Sequence, residues 1–500
     1  MSKTIPQITN FLPGTDPTAT QTLMEGWQGS SSYIIDELTA LALVQGNDIN
    51  LSYFAYNGTW YRCYFDVSEL GDGTITSGSP LISSPTRLFT AADVGKNISV
   101  KSGGTSGATL NTTIFSVNTG TGVATMNANA GATNGAVTFM WGHDDTAAIQ
   151  AAVSLSTQKP WRNRRAIKAP SGDTFISATI ELYRGMTFKG SGKNTTRFRC
   201  WPGWTPGTGT AQYVFHAGNG QGHCTLESFG VDGSRDYYPT TQNLGGLFID
   251  DLTYAAGGGY HHISCLAFTN NKGIAYRHAG GGENYLWAIS GDIGSQVGFL
   301  FNTYDSHIMN FSFGGYTQTA VQFDGSSAGN RITNMKAWYS GGTSYPCMVV
   351  DGQTMEFFNL TIEEASGIGL QIQGTRSHFW VFIWDNGDVR YVNGNGGTSP
   401  VANRACIQID GTYTARDGGI ENYVHAYIAQ SVRNTACFAT SALRLVNNAG
   451  KNQGEVTTSP KMLAATNSTG GLSPGYAIAA VEIISSAGNN NIVVDGVTVN

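Results

Sequence analysis

The sequence predicts an all-β protein whose larger part is a solenoid, that is, a stack of coils built from short strands. Three observations indicate this. The composition, with 65 glycines, 11% aromatic and only 12% charged residues, favours short strands joined by turns over helical bundles or disorder. The other two observations are two apolar elements that recur at regular spacing after about residue 245.

The first recurring element is an apolar–x–apolar segment followed by a polar turn, often Asp-Gly or Gln-Gly. Its closing apolar positions are spaced by 27, 25, 22, 27, 22 and 37 residues: Ile249, Tyr276, Phe301, Phe323, Val350, Ile372 and Ile409. Between these lies a second alternating element, whose members are 21 to 25 residues apart: Leu266/Phe268, Trp287/Ile289, Phe311/Phe313, Met335/Ala337, Leu360/Ile362 and Val381/Ile383. An Asn opens three of them: Asn310, Asn334 and Asn359. Such a short repeat must stack on its neighbours to bury its apolar side, as the coils of a parallel β-helix do with a rise of about 4.8 Å.

The segments before these repeats carry a resemblance. GHDDTAAIQAAV (142–153), followed by IKAPSGDTFISATIEL and MTFKGSGKNTTRF, resembles the start of pectate-lyase-like right-handed β-helix proteins, a fold that bacteriophage tailspikes and capsule depolymerases commonly carry. LFTAADVGKNISV (88–100) is similar to a module that often precedes it. The resemblance covers roughly residues 88 to 410 and implies a right-handed parallel β-helix capped by a short helix.

Four regions follow from these features. We expect a virion-attachment or linker segment over residues 1–50 and a small β module over 51–140. The parallel β-helix with its capping helix is expected over 141–410, and terminal coils or a C-terminal β region over 411–500.

Composition also excludes several classes of function. The net charge is −6, and WRNRRAIK (161–168) is the main basic run, so nucleic acid is not expected as a partner. The N-terminus lacks the apolar segment of a signal peptide, and no run approaches the roughly 18 apolar residues of a membrane span. The seven scattered cysteines predict reduced, mostly buried thiols. No motif predicts a metal or cofactor.

Several polar residues are expected to be structural. Asp144 and Asp145 precede an apolar i, i+4 pattern, so we expect one to cap a helix and the other to complement its dipole. Asp324, Asp351 and Asp410 each precede Gly at the same point of a coil, where Asp favours the turn. His261 and His262 alternate with apolar residues without a set of metal-like partners.

The candidate site lies in NLTIEEASG (359–367) and WVFIWDNGD (380–388). Aligning Leu360/Ile362 with Val381/Ile383 places Glu364 and Asp385 at the same point of adjacent coils, with Glu363 and Asp388 nearby. Carboxylates stacked in this way lie on the order of 5 to 10 Å apart, a range that includes retaining and inverting glycosidase pairs. A carboxyl group crowded by another has a raised pKa, as a general acid requires.

Aromatic residues flank these acids and predict stacking on sugar rings: Trp338, Tyr339, His378, Trp380 and Trp384. The alternative is that this stripe is a subunit interface. A second acidic pair, Glu283 and Asp292, lies three coils earlier, but GGGENYLWA is echoed by GGIENYVHA with Glu421 in place of Glu283. The echo indicates a structural role for the Glu-Asn-Tyr segment.

The resemblance implies a homotrimeric phage tailspike, attached to the virion tail or baseplate through its N-terminal region. It would bind and hydrolyse a polysaccharide of the bacterial cell surface, such as capsule or O-antigen, without nucleic acid or membrane as partners. One of the four carboxylates would act as general acid and another as base. The alternatives are a non-catalytic receptor-binding or structural tail protein of the same fold, a polysaccharide lyase, and a bacterial polysaccharide-modifying enzyme.

Overall fold

The computed structural model describes residues 48–205, 212–238, 243–251, 258–340, 345–384, 386, 405–412, 419–429, 441–447, 449–458, 479–484, 486–495 and 497–499. Its N-terminal part contains three short strands followed by a closed barrel. Strands β1 (Ile49–Asn50), β2 (Phe54–Tyr56) and β3 (Thr59–Tyr61) precede a closed barrel. The barrel strands are β4 (Ser68–Ile75), β5 (Leu81–Ser83), β6 (Asn97–Val100), β7 (Leu110–Asn118), β8 (Val123–Met126) and β9 (Asn134–Gly142).

The barrel has its own core, in which the rings of Phe89, Phe139 and Trp141 contact one another. It therefore spans Ser68–Gly142. The preceding β1 belongs to the solenoid, because Ile49 and Asn50 pair in parallel with Ile167 and Lys168. Partly buried hydrogen bonds join the barrel to the solenoid: Arg199 Nη1 donates to Glu69 Oε2 at 2.7 Å, and the Tyr237 hydroxyl donates to Glu69 Oε1 at 2.9 Å.

Helix α1 (Thr146–Thr157) buries Ile149, Ala152 and Val153 and lies against the first coils, as a capping helix does. The two aspartates before it have different roles. Asp144 caps the helix, since its Oδ1 accepts the N–H of Thr146 at 3.0 Å.

Asp145 makes no side-chain bond to α1, so its expected role in the first turn is wrong. Its carboxylate is 2% exposed. It accepts the N–H groups of Tyr64 and Phe65 at 2.8 and 3.1 Å and the hydroxyl of Thr174 at 2.6 Å. It thus joins the segment before the barrel to the first coils.

The solenoid strands follow in chain order. They are β10 (Ile167–Lys168), β11 (Gly172–Ile176), β12 (Ile180–Leu182), β13 (Thr187–Lys189), β14 (Thr196–Cys200), β15 (Gln212–Ala217), β16 (Thr225–Glu227), β17 (Gly230–Asp232), β18 (Leu244–Asp251), β19 (His262–Ser264), β20 (Ala267–Asn271), β21 (Tyr276–Gly282), β22 (Tyr285–Trp287), β23 (Ser290–Gly294), β24 (Phe299–Tyr304), β25 (His307–Tyr316), β26 (Val321–Phe323), β27 (Arg331–Trp338), β28 (Met348–Val350), β29 (Glu356–Glu363), β30 (Leu370–Ile372), β31 (His378–Trp384), β32 (Ala405–Asp410), β33 (Tyr423–Ala429), β34 (Ser441–Val446), β35 (Ala449–Gly450), β36 (Gln453–Thr458), β37 (Ala479–Ile483), β38 (Ser486–Gly488), β39 (Asn491–Val494) and β40 (Val497–Val499).

These strands form two main sheets, which confirms the predicted parallel β-helix. A long sheet of 19 strands runs from β1 to β40, and a short sheet of 11 strands runs from β12 to β37. In the early coils two short strands of each coil, such as β22 and β23, join the long sheet, and from β25 onwards they merge into one longer strand. The predicted register of Leu360/Ile362 with Val381/Ile383 is confirmed.

Two predicted positions in the repeats are wrong by two residues. Ile249 pairs with His278, not with Tyr276, because His278 is fully buried and bonded to the Tyr276 hydroxyl at 2.9 Å. In the second element, Phe268 pairs with Gly291, not with Ile289.

Asparagines mark two turns of the coil. Outside, Asn334 donates to Asn310 at 3.0 Å and Asn359 donates to Asn334 at 2.8 Å, and all three adopt a positive φ. Inside, a second ladder satisfies the buried backbone: Asn422 accepts the N–H of Ser377 at 3.1 Å and donates to the carbonyl of Gly374 at 3.0 Å. A buried amide side chain in such a ladder pairs groups that would otherwise be unsatisfied.

The cysteines follow the predicted pattern. Five are buried thiols, namely Cys63, Cys200, Cys224, Cys347 and Cys406, and Cys265 is partly buried; Cys437 lies outside the described residues. In the part of the chain that the structure describes, no helix has the length and apolar character that crossing a membrane requires.

Candidate functional site

The candidate site lies on the outer face of the long sheet, on strands β29, β31 and β33. Because side chains alternate along a strand, the inward residues Phe379, Val381 and Ile383 are buried and those between them point outward. Parallel in-register pairing then stacks the outward residues of successive coils in columns along the solenoid.

The outward residues form an aromatic surface that consists of Phe358, Trp380, Phe382, Trp384, Tyr423 and Tyr427. Phe358 stacks on Trp380 with ring centroids 4.8 Å apart, and Phe382 stacks on Tyr427 at 5.6 Å. Four of these rings, those of Phe358, Trp384, Tyr423 and Tyr427, are 38% to 44% exposed. Aromatic rings held flat and half exposed present an apolar face to a ligand, and neighbouring coils fix their positions.

The other predicted aromatic residues lie beside this surface. His378 is exposed, and its ring lies 5.8 Å from that of Tyr423. Trp338 lies two coils earlier in the column of Trp384. Its ring covers Gly314, where an added Cβ would lie 2.1 Å from it, and its Nε1 donates to Ser312 at 3.1 Å. Tyr339 packs edge-on against Trp338 at 5.2 Å.

Glu363 forms an ion pair with a cation of the preceding coil. Its Oε2 lies 2.6 Å from the ammonium of Lys336, which projects outward from the preceding coil. Both side chains are about one-third exposed, at 36% and 41%. The ion pair fixes the Glu363 carboxylate on the outer face of the sheet, beside the column of Trp384.

Glu364 lies at a turn after β29 and adopts a positive φ of 47°. Its backbone N–H donates to the carbonyl of Trp384 on the next coil at 2.8 Å. The predicted register of these two coils is therefore observed as far as the pair Glu363 and Trp384. Asp385 and Asp388 lie outside the described residues.

The second predicted pair, Glu283 and Asp292, lies elsewhere on the coil. Glu283 has a positive φ of 54° and precedes the buried Asn284, as Glu421 with a φ of 57° precedes the buried Asn422. Burial raises the pKa of Asp292. Asp292 is in the same outward column as Glu363 but three coils away, about 14 Å at the usual strand spacing, which is too far for a glycosidase pair.

Two carboxylates that the sequence predicts to be turn residues, Asp324 and Asp351, lie close enough to affect each other. Asp324 and Asp351 follow Phe323 and Val350, which pair on adjacent coils of the short sheet. Burial, and next the charge of Asp324, raises the pKa of Asp351 to about 7. The Asp-Gly signal at the same register of adjacent coils could have identified this pair.

The adjacent residues His261 and His262 point to opposite sides of the coil wall. His261 is buried and its Nε2 lies 2.6 Å from Asp251 Oδ2, whereas His262 is exposed beside Tyr285. No group of three or more His, Cys, Asp or Glu side chains able to hold a metal occurs among the residues described.

Comparison with known proteins gives only distant likenesses. No protein-family model and no curated protein matches the sequence. Among solved structures, the chain is similar to the enzymatically active domain of tailspike protein 2 of bacteriophage CBA120, with 13% identity and a TM-score of 0.43 over 78% of this chain and 57% of that one. It is also similar to the catalytic domain of a GH87 α-1,3-glucanase (12% identity, TM-score 0.46, 86% and 87% covered). A third is the A-module of the Azotobacter vinelandii mannuronan C-5 epimerase AlgE6 (13%, 0.40, 71% and 94%). The chain thus spans little more than half of the tailspike domain that it resembles.

Proposed function

We propose that the protein binds a bacterial surface polysaccharide along the long sheet and hydrolyses its glycosidic bonds. The observation that carries this proposal is the aromatic surface, which lies beside a carboxylate of the adjacent coil. Trp384 pairs with Glu363 across adjacent coils. Stacked rings beside acids are the arrangement that positions a sugar ring against a proton donor and a base.

In this mechanism one carboxyl group protonates the leaving glycosidic oxygen while a carboxylate removes a proton from the attacking water. Glu363, which lies 2.6 Å from the ammonium of Lys336, takes the part of the base. Glu364, Asp385 and Asp388 are the candidates for the acid. Water supplies the hydroxyl group of the new reducing end, and the acid regains its proton from the base through solvent.

A second candidate function is binding without cleavage. It is favoured by the Lys336–Glu363 ion pair, which occupies a carboxylate that catalysis needs. A lyase is the third outcome, because proton abstraction beside a uronate needs a base but no acid of glycosidase spacing.

Digestion of host capsule and lipopolysaccharide separates these functions. Hydrolysis should release oligosaccharides with new reducing ends. E363Q should lower turnover at least about 100-fold while binding persists, and so should the variant of whichever candidate is the acid, E364Q, D385N or D388N. The matched control is E356Q, on the same strand and ion-paired with Arg331, which should keep turnover. Unchanged turnover in E363Q, or in all three of E364Q, D385N and D388N, refutes the site, and binding without any shortening refutes the enzyme.

The aromatic surface could instead be a subunit contact. W380A should weaken polysaccharide binding and leave the oligomeric state unchanged, whereas loss of the oligomer with intact binding identifies an interface. The control is F115A, since Phe115 is 65% exposed on the barrel. We further propose a homotrimer that attaches to a phage tail through residues 1–50; light scattering on the purified chain tests the trimer.

A further inference from the structure

A second aromatic cluster, rich in arginine, lies at the other end of the solenoid. The turn Trp161–Asn163 follows α1 and packs on the turns of the first coils. The guanidinium carbons of Arg162 and Arg184 lie 4.8 and 4.6 Å from the centroid of the Trp161 ring. His223 stacks on Trp161 at 5.0 Å, and Tyr260 stacks on His223 at 5.0 Å with an interplanar angle of 4°.

The positive charge of this cluster is not balanced by acids. Neighbouring cations are paired, as Lys168 is with Asp48 and Lys189 with Glu227. In the described part of the chain, no carboxylate forms an ion pair with any of the five cations around the turn: Lys159, Arg162, Arg164, Arg165 and Arg184. Unpaired cations this close repel one another unless an anion joins them.

Part of this charge is already removed from water. Nε and Nη1 of Arg164 and Nε of Arg184 are buried, and within the described structure they have no hydrogen-bond partner. Burial lowers the pKa of Arg164, and burial followed by the charge of Arg184 lowers the pKa of His223. Buried donors without acceptors cost free energy that a bound acceptor would recover.

The space beside the cluster suits a small charged ligand. A cavity of about 440 Å³ is lined by Lys159, Asn163, Arg164 and Arg165, a size typical of small-molecule sites. A planar guanidinium group binds a carboxylate through two parallel hydrogen bonds, and Arg164, with its unpaired Nε and Nη1, is the lining residue that supplies such a group.

We propose that this cluster is a binding site for carboxylate-bearing sugar residues, so that the polysaccharide of this protein is acidic. The identity of the ligand as a polysaccharide rests on the proposed function. Three further rings lie on the long sheet between the two regions: His262 lies 6.1 Å from Tyr285, and Tyr285 stacks on His307 at 5.7 Å. From His262 to His378 the sheet advances five coils, about 24 Å, so one chain of several sugars can contact both regions.

The test uses tetragalacturonate and its fully methyl-esterified form as probes of the full-length protein, measured by calorimetry. The acid should bind in one saturable site, and the ester, which keeps the rings and lacks the charge, should bind at least about tenfold more weakly. The variant R164Q/R184Q should lose about tenfold or more in affinity for the acid. R331Q, which removes an arginine already paired with Glu356, should bind as the wild type does.

Equal affinity for acid and ester, or equal affinity in wild type and R164Q/R184Q, overturns the inference. Tighter binding of duplex DNA than of tetragalacturonate overturns it in favour of a phosphate site. If R164Q/R184Q does not fold, the acid and ester comparison on the wild type still decides. E363Q should bind tetragalacturonate at this cluster unchanged, so a failure of the proposed hydrolysis leaves this result readable.

Discussion

Replacing Asp145 should destabilise the protein far more than replacing its neighbour Asp144. The Asp145 carboxylate is buried and accepts three hydrogen bonds, from Tyr64, Phe65 and Thr174. D145A leaves two backbone N–H groups and one hydroxyl group without an acceptor in a buried site. At about 1 to 3 kcal/mol for each buried unsatisfied group, with partial relaxation, the loss should be about 3 to 5 kcal/mol.

D144A removes one accepted bond at the helix start, from the Thr146 N–H. The loss of a helix cap costs about 1 kcal/mol. Urea unfolding followed by fluorescence gives both values, and hydrogen exchange at the amides of Tyr64 and Phe65 reports whether the local contact is lost. If D144A costs as much as D145A, or if those amides stay protected in D145A, the assigned role of Asp145 is wrong.

The pH dependence gives an independent check of the same residue. Burial raises the pKa of Asp145 to about 6, whereas an unfolded Asp titrates near about 3.9. Between these values the folded state binds more protons, so this group makes the protein more stable as pH falls from above 6 to about 4, by up to about 3 kcal/mol. D145N should remove that contribution. The wild type minus D145N difference in unfolding free energy, measured from pH 4 to 8, isolates it from the other carboxylates.

Three further outcomes are expected. N422A should cost about 2 to 4 kcal/mol in chemical unfolding, because Asn422 is 1% exposed and bonded to backbone on both sides; a cost below about 1 kcal/mol would show that the inner ladder is not needed. G314A should displace Trp338, since the added Cβ lies 2.1 Å from its ring, and an unaltered tryptophan emission spectrum would contradict this. D351N should stabilise the protein at pH 8, by about 1 to 2 kcal/mol in a melting experiment, and have little effect at pH 4. The pKa of Asp351 is raised to about 7 in the folded state, so its contribution to stability is lost as pH rises from about 4, where the unfolded residue ionises, to about 7. Equal effects at both pH values would contradict the raised pKa of Asp351.

The stacked-coil architecture was predictable because inward positions repeat as apolar residues. The register failed where the inward residue is not apolar. Gly291 is such a position: an added Cβ there would lie 2.4 Å from both the Phe313 ring and the Tyr316 hydroxyl. The space beside Gly291 is filled by the Phe313 ring of the next coil. The sequence of one coil alone does not reveal such packing between coils. At His278 the predicted register was wrong for a different reason. This inward residue is polar, and its hydrogen bond to the Tyr276 hydroxyl allows it to be buried.

The candidate site was predictable only in part. Alternation along β31 places Trp380 and Trp384 outward, and the register brings Glu363 beside Trp384. The Lys336 ion pair was not predicted, since it depends on which outward residue of the preceding coil reaches Glu363. The arginine cluster at Trp161 likewise depends on turns of separate coils that meet only after stacking.

Digestion of the host polysaccharide in ¹⁸O-labelled water, followed by mass spectrometry of the products, tests the proposed function most directly. Hydrolysis predicts shortened oligosaccharides that each gain one ¹⁸O at the new reducing end, with the signal lost in E363Q. Products that carry no label and absorb in the ultraviolet as unsaturated uronates would show a lyase. A polysaccharide that is bound but stays intact would contradict catalysis altogether.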